Sequence, residues 1–76
     1  MRPRAVAVKP LENYVLKITF ENGEEKQFDV KPYMKHKAFE KLRNIDMFNT
    51  VKISGLSISW ANGADICPDE LYFNSI

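Results

Sequence analysis

One cysteine, one histidine and three glycines are the whole supply, in 76 residues, of the residue types that most often build disulfides, metal centres and phosphate-binding loops. Cys67 has no partner for an internal disulfide, and a single His with a single Cys falls short of a structural zinc site. No apolar run approaches the roughly 20 residues of a membrane span, and the polar start at Arg2, Pro3 and Arg4 leads into no signal-like segment. The net charge is only +1, which gives the chain no overall pull toward nucleic acid or anionic lipid. These shortages point to a protein of the reducing cytoplasm with no cofactor, no metal and no membrane partner.

What is present is ordinary globular material, 45% apolar and 28% charged. The length suits one small domain over residues 1–76 and leaves no room for a second. Such a chain buries about 60% of its unfolded surface, so its core is thin and self-association is a plausible source of extra stability. Charge is divided along the chain. All eleven Lys and Arg precede Ile53, whereas residues 53–76 carry Asp65, Asp69 and Glu70 and no base.

Large apolar residues at Leu16, Ile18 and Phe20, alternating with Lys17 and Thr19, predict a half-buried strand near 14–20. Asn22 and Gly23 suit a tight hairpin, and the return strand is expected near 25–30, with Phe28 and Val30 on one face. Val6 and Val8 alternate with small residues and predict a further strand near 5–9. From Met34 to Ile45 the period changes: Met34, Ala38, Leu42 and Ile45 fall within about 80° on a helical wheel, which predicts the main helix near 35–44, just after Pro32. Alternation returns near 50–54 and 56–60 around Gly55, then Asn62 and Gly63 turn into a short strand near 64–66. Pro68, Asp69 and Glu70 have the chemistry of a helix start, and a short helix is expected near 68–74.

The expected fold class is α+β: two layers, a mostly antiparallel sheet of two hairpin units, one main helix and a short C-terminal helix. The expected core is Val6, Val8, Leu16, Ile18, Phe20, Phe28, Val30, Ala38, Leu42, Phe48, Val51, Ile53, Ile58, Trp60 and Leu71. An offset of forty pairs Leu16 with Leu56, Ile18 with Ile58, Phe20 with Trp60, Asn22 with Asn62, Gly23 with Gly63 and Asp29 with Asp69. Shared turn chemistry and a duplicated strand-turn unit both account for this echo, and both place Phe20 and Trp60 at strand ends beside a turn.

Catalytic groups are scarce. His36 falls on the outer arc of the expected helix near Glu40 and reads as a solvated side chain. Cys67 precedes Pro68, where a helix start would favour the thiolate, but Asp65, Asp69 and Glu70 oppose it, so a buried or half-buried inert thiol is expected. Asp29 and Asp69 could form an acid–base pair, yet each also has the position of a capping group. No catalytic residue is expected, and the chain does not read as an enzyme.

The remaining surface feature is basic. Lys31, Lys35, Lys37, Lys41 and Arg43, with His36 nearby and Tyr33 and Phe39 interleaved, surround a single acid, Glu40. A solvated helix face, a contact for an acidic protein and a phosphate-binding strip are all compatible with it, although no helix-turn-helix or Gly-rich loop accompanies it. The acidic last third offers a complement on a second copy of the chain.

The stretch from Leu16 through Asn22 and Gly23 to Asp29, then Phe39, Leu42 and Phe48, and above all Ile58, Trp60, Asn62, Gly63, Asp65, Ile66, Pro68, Asp69, Leu71 and Tyr72, resembles the small bacterial proteins grouped as domain of unknown function 2442. The resemblance spans about residues 5–73. It implies an α+β domain of bacterial or phage origin without an established activity or catalytic set. Some such proteins carry a DNA-binding helix-turn-helix domain after this one; this chain ends at Ile76, so that role is not expected to transfer. Others are encoded next to, or fused with, small toxin-like proteins. The expectation is therefore a noncatalytic protein-interaction module, antitoxin-like or regulatory, with nucleic-acid binding through the basic face as the alternative.

Overall fold

A computed structural model describes residues 2–76. Two three-stranded antiparallel sheets make up its β layer, each with its strands in chain order. The first contains β1 (Ala5–Pro10), β2 (Val15–Phe20) and β3 (Glu25–Asp29); the second contains β4 (Lys52–Ser54), β5 (Ser57–Ser59) and β6 (Asp65–Ile66). Between the sheets run 3-10 turns at Lys31–Tyr33 and Lys37–Arg43 and a single α-turn, α1 (Ile45–Phe48). The short C-terminal helix α2 (Pro68–Phe73) completes an α+β fold of the expected class.

Each sheet is organised about its middle strand. Leu16, Ile18 and Phe20 of β2 alternate into the core and pair with Phe28 and Lys26 on one side and with Pro10, Val8 and Ala5 on the other. Ile58 of β5 sits between Ile53 and Ile66 in the second sheet. β1 lies against β4 and β5, so one apolar cluster spans both sheets.

The two Asn-Gly turns are the same object built twice. Phe20 N–H donates to the Glu24 carbonyl and Trp60 N–H to the Ala64 carbonyl, both at 2.8 Å. The Asn22 and Asn62 side chains each accept from the main-chain N–H two residues on, at 3.1 Å. Gly23 and Gly63 both adopt φ of +91°, the left-handed conformation that a three-residue hairpin loop requires at its last position. The strand ends then deliver large rings as expected. Phe20 stands edge-on to Tyr72 at 5.0 Å, and Trp60 packs beside Phe48 and Phe39. Rings continue through the core from Tyr14 to Phe48, Trp60, Phe39, Tyr33 and Phe28, with centroid spacings of 5.2 to 6.4 Å.

Several expectations about the core are corrected. Val6 is 45% exposed and Ala5 is buried instead, because the β1–β2 register shifts between Ala5 and Ala7 and bulges the intervening residue outward. Val8, Val51 and Ile53 only pack against the core as half-buried residues. The α-helix expected near 35–44 is wound as 3-10 over Lys37–Arg43. Its tighter period of three keeps Phe39 and Leu42 on the inward ridge and turns Ala38 to solvent, where the α-helical wheel had placed it inside. Met34, Ala64 and Ile66 join the core in its place.

Candidate interaction surface

The basic segment starts where β3 ends. The Asp29 carboxylate accepts from the Lys31 main-chain N–H at 3.0 Å and turns the chain, and it also holds the Lys31 ammonium at 3.0 Å. That ammonium donates as well to the Asn13 carbonyl at 2.6 Å, so Lys31 is tied back to the first sheet. Tyr33 follows, its ring between Phe28 and Phe39 and its hydroxyl donating to Glu70 at 2.6 Å. Burial, reinforced by the Glu70 hydrogen bond, raises the Tyr33 pKa above the ordinary phenol value.

From His36 the 3-10 winding sets the display of charge. Phe39 and Leu42 face the core, Lys37, Glu40 and Arg43 share a second ridge, and Ala38 and Lys41 form a third. The far end is fixed by the Tyr14 hydroxyl, which donates to the Arg43 carbonyl. Asn44 then breaks the run and caps α1, its side-chain oxygen accepting from Asp46 and Met47 N–H at 2.9 and 3.3 Å. An open cleft of about 570 Å³ lies alongside, lined by Glu40, Lys41, Asn44, Asp46, Met47 and Thr50.

Lys35, Lys37, Lys41 and Arg43 are all exposed. Among the described residues the ion pairs are Arg2–Asp69, Arg4–Glu21, Lys17–Glu25 and Lys31–Asp29, so these four cations have no carboxylate within pairing distance. Lys35, Lys37, Lys41 and Arg43 thus form an exposed cationic ledge along residues 35–43 without an internal ion pair, whereas Lys31 is tied back to Asp29 and Asn13.

The other singled-out residues form no metal-holding cluster among the described residues. His36 is exposed at the start of the 3-10 run and makes no side-chain cap. Cys67 is exposed, contrary to expectation: Ile66 takes the inward position at the end of β6, and the next residue turns outward. Asp29 supports a turn while Asp69 pairs with Arg2 at 2.9 Å, so the two carboxylates serve separate partners. Among the described residues no group of three or more His, Cys, Asp or Glu side chains is placed to hold a metal. No helix among them is long and apolar enough to cross a membrane.

Sequence reasoning missed the polar clamps on α2. Glu24 accepts from Asn22 at 2.6 Å and from the Tyr72 hydroxyl at 2.7 Å, and Lys26 sits 3.9 Å over the Tyr72 ring. The Asn22 and Tyr72 hydrogen bonds hold the Glu24 carboxyl below its ordinary value, and the Glu24 contact raises the Tyr72 pKa. Lys26 and Glu24 stand 46 and 48 residues from Tyr72 in sequence, and no local pattern announces the pairing.

Two antiparallel three-stranded meanders, joined by a cationic 3-10 segment and closed by a clamped C-terminal helix, define a small α+β protein. The chain belongs to the family described as Protein of unknown function (DUF2442), which it matches over residues 5–76. Neither a curated protein nor a solved structure matches it.

Proposed function

We propose that this protein is a noncatalytic interaction module whose cationic ledge meets an acidic surface on a small partner protein. The supporting observation is the unpaired state of Lys35, Lys37, Lys41 and Arg43 on a segment whose only acid is Glu40. Most surface cations gain little from ion pairs within their own chain, but four carried along residues 35–43 without an internal partner are free to meet an external anion. The ledge is also anchored at both ends, by Lys31 and by the Tyr14–Arg43 contact, so little ordering is needed on binding. On this reading the partner is the toxin-like neighbour that the family resemblance suggests, and the pair works in the bacterial cytoplasm.

The test is co-expression of the tagged chain with the product of the adjacent reading frame. Retention of that product by the wild type, reduced about tenfold by Lys37→Glu with Lys41→Glu, is the expected result. A folded, soluble neighbour that never co-purifies sinks the proposal.

The same ledge supports nucleic-acid binding as a second reading, since its cations are the groups that neutralise phosphates. That reading predicts affinity for duplex or single-stranded DNA that falls steeply with salt and disappears on the same charge reversal.

A further inference from the structure

Ile58 pairs with Ile66 across β5 and β6, and Ser59 pairs with Asp65. Extending that antiparallel register by one residue sets Cys67 opposite Ser57, and Ser54 of β4 faces Ser57 from its other side. Residues directly opposite in a ladder share a face, and successive residues of a strand alternate between faces. Ile58 enters the core, so Ser54, Ser57 and Cys67 form a row on the opposite face of the second sheet. That row, with Asp65 and the rim residues Leu56 and Pro68, lines a cleft of about 340 Å³. Cys67 is exposed there as a free thiol. Ser57 is only 4% exposed, and its Oγ is the one buried side-chain polar atom among the described residues with no hydrogen-bond partner. Folded proteins pair nearly all such groups, with protein, water or a ligand. Asp65 is exposed and belongs to none of the ion pairs among the described residues.

We propose that this cleft is a modification site, at which Cys67 forms a mixed disulfide with a low-molecular-weight disulfide that carries an ammonium group. The exposed thiol supplies the nucleophile, the Asp65 carboxylate the counter-charge, and the Ser57 hydroxyl an acceptor for the ammonium of the adduct. The Cys67 thiol gives its proton to solvent, and the thiolate attacks one sulfur of the disulfide. A new S–S bond forms to Cys67 while the old one breaks. The other half departs as a thiolate and takes up a proton, so the incoming disulfide is the only oxidant. A ligand cation beside Asp65 also favours the attacking thiolate. Charge sorts the candidates: the disulfide of a carboxylic acid meets Asp65 as a like charge and is disfavoured. The cleft shares no residue with the cationic ledge, so this site stands apart from the proposed partner contact.

The probes are cystamine, the neutral bis(2-hydroxyethyl) disulfide and the anionic 3,3'-dithiodipropionate, each incubated with the reduced full-length chain. Cys67 is the sole cysteine, so the mass of the intact protein reports the adduct at that residue alone. Each rate is divided by the rate for the same chain in urea, which removes the intrinsic reactivity of the reagent. The folded chain is expected to favour cystamine over the anionic disulfide about tenfold, and Asp65→Asn to abolish most of that preference. In a cystamine and cysteamine redox buffer, Ser57→Ala is expected to lower the equilibrium yield of adduct about fivefold without lowering the urea midpoint of the reduced chain, since the hydroxyl it removes has no partner there. The wild-type adduct should melt at a higher temperature than the reduced wild type. The proposal is overturned if the folded chain treats the three disulfides alike, if Asp65→Asn leaves the preference intact, or if a Cys67-linked dimer is the main product. It is equally overturned if Ser57→Ala destabilises the reduced chain and leaves the adduct yield unchanged, because the hydroxyl is then satisfied by buried water instead of the ligand.

Discussion

The indole N–H of Trp60 donates to the main-chain carbonyl of Phe48 at 3.0 Å in the interior of the protein, joining the end of β5 to the end of α1. Thr50 adds a second tie, its hydroxyl accepting from Ala61 N–H at 3.0 Å. The second hairpin and the end of α1 are thus fastened by one buried and one exposed bond, and at the buried one two kinds of energy converge: ring burial and satisfaction of a carbonyl that water does not reach.

These two contributions separate by substitution. Trp60→Phe keeps an aromatic ring and leaves the Phe48 carbonyl with only the long 3.4 Å bond from Val51 N–H, which is expected to destabilise by about 1–2 kcal/mol. Trp60→Ala adds a cavity and is expected to cost about 3–5 kcal/mol, a large share of the stability of so small a protein. Urea denaturation followed by circular dichroism measures both: a Trp60→Phe midpoint equal to that of the wild type would refute the hydrogen-bond contribution, and equal midpoints for the two variants would refute the cavity contribution.

Gly23 and Gly63 provide a paired test of the repeated turn. Nothing lies within 4 Å of a Cβ added at either position, so the penalty on Gly→Ala is conformational and arises from φ of +91° alone. Each substitution is expected to destabilise by about 1–2 kcal/mol, and the two by equal amounts within error. A clear inequality in chemical denaturation shows that one hairpin relaxes and the other does not.

The Glu24 clamp makes stability depend on pH in a defined direction. Because its carboxyl titrates lower in the folded chain than in the unfolded one, its contribution is complete above the unfolded value and disappears as pH falls through the folded value. The wild-type Tm should therefore drop more steeply between about pH 5 and pH 3 than that of Glu24→Gln. Tyr72 has the opposite sign. Its raised pKa contributes below the unfolded phenol value and is lost as pH rises through the folded one, so Tyr72→Phe should flatten the alkaline limb above about pH 10.

The bulge at Val6 and the 3-10 winding at Ala38 are tested by polar substitution. Val6→Thr and Ala38→Lys should each change stability by less than about 0.5 kcal/mol, since both side chains face solvent. Ala5→Leu should cost about 1–3 kcal/mol by overfilling the core. A severe loss from Ala38→Lys in thermal denaturation argues for the α-helical winding.

Alternation was enough to find the strands, because a residue on a half-buried sheet faces one way or the other and Leu16, Ile18, Phe20 and Ile58 declare which. Asn-Gly was enough to find both turns. Alternation is silent about a bulge, so Val6 looked like its neighbours although the ladder displaces it. The winding of Lys37–Arg43 was illegible for another reason: α and 3-10 helices share neighbours three residues apart, and the choice is made by the ends. His36 and Asn44 are both extended, and Asn44 spends its side chain on starting α1, which leaves seven residues too confined to nucleate an α-helix. Of the basic surface, the sequence supplied the members and the structure removed Lys31 from the free set. The Tyr33–Glu70 and Tyr72–Glu24 clamps join residues that only the tertiary fold brings together.

The run of rings from Tyr14 to Phe28 has an optical consequence. Trp60 is the sole indole of the chain and sits mid-array, one phenylalanine away from Tyr14 and one from Tyr33. Light absorbed by either of these two phenols passes to it by resonance transfer, so Tyr14 and Tyr33 add little to the tyrosine band while the array is intact; Tyr72, beside Phe20, stands outside it. A rise in tyrosine-band emission then marks the moment at which the array comes apart, giving an intrinsic signal of unfolding that needs no added dye.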